Sequence, residues 1–120
     1  MTNSSRAFEA YSNSVLPTRT SRDLEYKVLA RITRKLKVAS ENPDIKFPVL
    51  ANALHENRRL WSAFAVDVAN QKNMLPDDVR ARILYLAEFT WWQTSLILQG
   101  KGSCSDLISV NMSILRGLRN

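Results

Sequence analysis

Apolar side chains recur at spacings of three and four along most of the chain, and no stretch alternates apolar and polar positions as a half-buried strand would. The expected fold is therefore all-α. Between Thr20 and about Ser40, Val28, Leu29, Ile32, Leu36 and Ala39 form one stripe. This helix is predicted to open on Thr20-Ser21-Arg22-Asp23, a capping box whose hydroxyl and carboxylate satisfy orphan amides, and to stop at the turn Asn42-Pro43-Asp44. A second long helix is predicted from about Phe47 to Ala69. There Phe47, Leu50, Leu54, Trp61, Phe64, Ala65 and Val68 fall within about a third of the helical wheel, and Pro48 is tolerated because it lies in the first turn.

After the break at Asn70 to Asn73, Pro76-Asp77-Asp78 sets a fixed φ and two negative charges at the start of a helix predicted to reach about Gln99. One of its faces carries Val79, Ile83, Leu86, Ala87, Thr90, Ile97 and Leu98. A second stripe, Tyr85, Phe89, Trp92 and Leu96, lies on nearly the opposite side. A helix apolar on both faces is either central to a bundle or meets another molecule. Gly100-Lys101-Gly102 ends it. The capping box Ser103-Cys104-Ser105-Asp106 then opens a last helix with Leu107, Ile108, Ile114, Leu115 and Leu118. Near the N-terminus, residues 3–15 can form a short helix with Phe8, Tyr11 and Val15 on one side, ended by Pro17. The architecture expected is a single antiparallel bundle of four main helices plus this short N-terminal one, one domain over residues 1–120 with residues 1–17 as an added piece.

Composition limits the chemistry. At 120 residues and 45% hydrophobic content, the chain can bury one ordinary core without staples. One histidine, His55, and one cysteine, Cys104, give no zinc cluster, no disulfide and no Cys-His pair placed by spacing. Asp77 and Asp78 are explained by the helix start, and Gly100-Lys101-Gly102-Ser103 lacks the spacing and the preceding strand of a phosphate loop. No convergent polar set emerges, so no catalytic residue, cofactor, metal or small-molecule substrate is expected. The first seventeen residues lack the apolar core of a secretory signal, and the longest run without a charge, from Phe89 to Gly100, is too short to span a bilayer. A cytoplasmic protein with no membrane partner is expected.

Three features remain as candidate binding surfaces. The net charge of +6 is concentrated in residues 18–40, where Arg19, Arg22, Lys27, Arg31, Arg34, Lys35 and Lys37 outnumber Asp23 and Glu25. Lys27, Arg31 and Arg34 share one side of the helix, which reads either as its solvated face or as an electrostatic surface for RNA or an acidic partner. Only Tyr26 lies nearby to stack a base. Asn57 and Asn111 each interrupt an apolar stripe; a buried amide must find a hydrogen bond, either across the bundle or to a partner's backbone. Finally, Tyr85, Phe89, Trp92 and Leu96 are either core or the floor of a groove for an amphipathic helix from another protein.

In order and spacing, several short pieces resemble the FlaF family, flagellar biosynthesis regulators of flagellated alphaproteobacteria. They are Thr20 to Glu25 (TSRDLE), Asn57-Arg58-Arg59-Leu60-Trp61, Leu75 to Ala81 (LPDDVRA) continuing to Leu86-Ala87-Glu88-Phe89, and Asn111 to Leu118 ending in Arg116-Gly117-Leu118. The resemblance covers Tyr11 to Leu118. It implies a small cytoplasmic helical protein needed for flagellin production, similar to a secretion chaperone that binds flagellin before export and works alongside the regulator FlbT. On that expectation Tyr85, Phe89, Trp92 and Leu96 carry the contact and the basic face with Lys27, Arg31 and Arg34 is a second surface. The alternative is a post-transcriptional regulator acting through FlbT or directly on flagellin messenger RNA.

Overall fold

The computed structural model describes the backbone of residues 18–119 and the side chains of residues 25–117. Its helices are α1 (Thr18–Glu41), α2 (Phe47–Ala69), α3 (Asp77–Leu98) and α4 (Ser105–Arg119), with no strand among the described residues. The short helix expected over residues 3–15 lies outside them.

The residues that meet in the interior fix the direction of each helix. At one end, Leu36 and Ala39 of α1, Ala53 and Leu54 of α2, Ile97 of α3 and Leu107 of α4 form one cluster with Cys104. Toward the other end, Leu29 and Ile32 meet Leu60 and Leu115. Trp61 and Ala65 meet Ala87 there, with Val110 and Ile114 against them. Position numbers rise along α1 while they fall along α2 and α4, and they fall along α3 while they rise along α2. Each helix is thus antiparallel to its neighbours. The chain packs α1 on α2 and α4, α2 on α1 and α3, and α3 more thinly on α4, so α1 and α3 sit on a diagonal.

Local chemistry explains the ends. Gly100, at φ +78°, is the left-handed residue that stops α3: its amide donates to Ile97 O at 2.9 Å and the Lys101 amide donates to Leu96 O at 2.8 Å, the paired bonds of a Schellman motif. The carbonyls at the end of α2 are capped from the next helix, Arg80 Nε donating to Val68 O at 2.8 Å and Nη2 to Asn70 O at 3.1 Å. Asp77 and Asp78 occupy the first turn of α3, where the helix dipole favours negative charge.

Three details differ from the sequence expectation. Helix α1 starts at Thr18, so Thr20 lies inside its first turn rather than at the cap. Phe47, expected in the core stripe of α2, is 57% exposed because it is the first helical residue, beyond the level at which Ala39 and Ala53 close the bundle. In its place α2 buries Ala53, Leu60 and Ala63, since a helix flanked on two sides buries more than one narrow stripe. At the start of α4, Ser103 Oγ accepts from the Ser105 amide at 3.1 Å, so the serine serves a turn just before the helix rather than a reciprocal box with Asp106.

Candidate partner-binding surface

Helix α3 turns one side inward through Ala87, Thr90, Gln93, Thr94 and Ile97. Trp92 is two residues from both Thr90 and Thr94, which at about 100° per residue puts it on the far side of the helix. Among the described residues, that side is left largely exposed. Tyr85 is 68% and Trp92 60% exposed, while Phe89 and Leu96 between them are half-buried. The Phe89 and Trp92 rings lie 6.3 Å apart at a tilt of 52°, so two of the four residues already form an aromatic ledge. Trp91 takes the opposite role: it packs against the cluster of Trp61, Ala65 and Ala87. The loop before α3 separately exposes Met74, at 95%, and Leu75. Neither belongs to a helical stripe, so periodicity could not single them out.

Behind this surface the bundle is held by an unusually polar interior. Trp61 Nε1 donates to Asn111 Oδ1 at 2.9 Å, and Asn111 Nδ2 donates to Asn57 Oδ1 at 2.8 Å and to Thr33 Oγ1 at 3.1 Å. The Thr33 hydroxyl in turn donates to Leu29 O at 2.7 Å. Asn57, Trp61 and Asn111 are all fully buried, so these bonds form in a low-dielectric interior where they fix the register of α1, α2 and α4. On α3, Gln93 Nε2 donates to Ser103 O at 3.3 Å and ties the helix to the following loop. Gly102 permits this approach, because a Cβ there would stand 3.1 Å from Gln93 Nε2. The sequence places Thr90 on the inward face of α3, as found, but does not single out Thr33, Gln93 or Thr94, since a polar residue of modest size breaks a stripe less visibly than asparagine does.

The basic residues lie elsewhere. Lys27, Arg31 and Arg34 are exposed on α1, which stands diagonally across the bundle from α3, so the two candidate surfaces do not merge. Arg31 is only partly available: its Nη1 lies 3.4 Å from Glu56 Oε2, and Lys35 Nζ also binds the Glu56 carboxylate. The Lys35 hydrogen bond holds the Glu56 carboxyl below its ordinary range, partial burial opposes it, and the charges of Lys35 and Arg31 add to the lowering. His55 is exposed on α2. Cys104 is buried at the start of α4, and burial pushes its thiol pKa up. Among the described residues no three His, Cys, Asp or Glu side chains converge as a metal site, and no helix is long and apolar enough to cross a membrane.

The class defined by this geometry is a small antiparallel helical bundle with a partly hydrogen-bonded polar core, in which Thr90 Oγ1, Thr94 Oγ1 and Trp91 Nε1 are buried without a partner among the described residues, and an aromatic ledge that no other described residue covers. The chain belongs to the FlaF family: the family profile described as flagellar protein FlaF matches residues 7–118. No curated protein and no solved structure matches it.

Proposed function

We propose that this flagellar protein is a cytoplasmic chaperone that binds flagellin before export and so promotes its secretion and filament assembly, with FlbT as a second partner and without catalysis or a cofactor. The observation that carries this reading is the exposure of Tyr85 and Trp92 on α3, opposite a side that already supplies its share of the core. Large apolar side chains clustered on a surface favour a protein partner, and an amphipathic helix laid across the ledge would cover Tyr85, Phe89, Trp92 and Leu96 together. Flagellin's terminal segments are amphipathic and would self-associate if left exposed. Phe89 and Leu96, half-buried beside the exposed Tyr85 and Trp92, suit a complex that must release its cargo, because part of their area is already removed from water before binding.

The test is co-purification with flagellin from a cytoplasmic extract, comparing the wild type with a Phe89→Ala, Trp92→Ala double variant of unchanged helicity. Flagellin retained by the wild type and lost by the folded variant supports the reading. Flagellin absent from both, with flagellin messenger RNA retained in a steeply salt-dependent way, replaces it with the regulator reading.

A further inference from the structure

On the α1–α2 side of the bundle, away from the α3 ledge, the two helices leave an open cleft of about 190 Å³. We propose that this cleft, floored by Val28, Ile32, Leu60 and Ala63 and rimmed by Arg31 and Arg59, is a docking site for a protein segment that presents an aliphatic side chain beside carboxylates.

Size comes first. A protein cavity of about 150 Å³ holds one benzene molecule, so this cleft accommodates a single leucine-sized side chain and would not shelter a long acyl chain. Charge comes second. Glu56, also in the lining, is already shared by Arg31 and Lys35, whereas Arg59 is exposed and forms no ion pair among the described residues. An incoming carboxylate therefore meets an unspent guanidinium, whose planar fork suits two parallel hydrogen bonds. Lys27, exposed one turn before Arg31, extends the positive rim. The same features disfavour nucleic acid. Among the described residues no aromatic ring lines the cleft to stack a base, and the Glu56 carboxylate would stand among the phosphates.

The site involves no residue of α3, so it stands or falls independently of the ledge. The probe is a short blocked helical peptide with one leucine between two glutamates, titrated into the full-length chain carrying labelled methyl groups. The expected result is shifts at Val28, Ile32, Leu60 and Ala63, with binding about tenfold weaker for Arg59→Glu, as for loss of a charge-assisted pair. A peptide with glutamine for glutamate should weaken similarly. The Phe89→Ala, Trp92→Ala variant should bind the peptide as the wild type does. Arg59→Ala, which adds no negative charge, and a peptide with serine for leucine provide the comparison if Arg59→Glu disturbs folding. Absence of methyl shifts at millimolar peptide, shifts at Leu96 alone, equal binding of the glutamine peptide, or displacement of the peptide by oligouridylate RNA would each overturn the proposal.

Discussion

Trp61 and Asn111, fifty positions apart in sequence, are joined by a buried hydrogen bond of 2.9 Å from the indole nitrogen to the amide oxygen. Asn111 is the hub of the interior, since its amide nitrogen also serves Asn57 and Thr33. Removing the hub leaves the Trp61 indole without an acceptor and Asn57 Oδ1 without a donor, each orphan costing about 1–3 kcal/mol. Asn111→Ala is therefore expected to lower unfolding free energy by about 3 kcal/mol or more. Asn57→Ala should cost less, because Asn57 contributes one bonded oxygen while its amide nitrogen is buried without a partner. Urea titrations followed by tryptophan emission measure both. Equal midpoints for the two variants would show that the hub is not where the stability lies.

How far this interior was legible depended on residue type. Asn57 and Asn111 stand out because a primary amide inside an apolar stripe has no solvent-facing alternative, and Trp61 lies in the middle of the α2 stripe that holds Asn57. That all three meet, and meet Thr33, is a matter of antiparallel register between helices, which no local pattern contains. The second stripe of α3 shows the same boundary. Spacing places Tyr85, Phe89, Trp92 and Leu96 on one side of a helix, but whether another helix covers them depends on where α1 packs, and α1 lies on the diagonal. The cleft beside Arg59 needed the structure entirely, because its lining alternates between two helices.

Burial separates the tryptophans energetically. Trp61 is fully enclosed, so Trp61→Ala should destabilise the protein by about 3–5 kcal/mol through lost packing. Trp92 is mostly in water, with the Phe89 ring 6.3 Å away at a tilt, so Trp92→Ala should cost less than about 1 kcal/mol. Thermal or urea unfolding of the two variants gives the comparison. A loss at Trp92 as large as that at Trp61 would make the ledge part of the fold rather than a surface.

Cys104 is 5% exposed, and burial favours its neutral thiol, so two effects slow its chemistry: access and a small thiolate fraction. In native buffer near neutral pH it should react with iodoacetamide at least tenfold more slowly than an unstructured thiol, and denaturant should remove the difference. The linked pH effect has a definite sign. With the folded pKa raised, the folded state holds its proton longer, so stability falls as pH rises above the ordinary thiol range. Rapid labelling without denaturant would mean that the α3–α4 end opens readily.

The Glu56 carboxylate offers the converse case. Lys35 and Arg31 of α1 favour its ionised form, so the folded pKa is lowered relative to the unfolded chain. The pairing therefore contributes fully above the ordinary carboxylate range and is lost as pH falls through the lowered folded value. Because Arg31 and Lys35 remain partly exposed, the contribution should be modest, about 0.5–1 kcal/mol, and should shrink with added salt. Glu56→Gln should unfold at lower urea than the wild type at neutral pH, and the two curves should converge in acid, where both chains carry a neutral side chain at position 56. Curves that stay apart in acid would mean that Glu56 acts through packing between α1 and α2 rather than through its charge, since protonation leaves the packing of the side chain in place while removing its pull on Lys35 and Arg31.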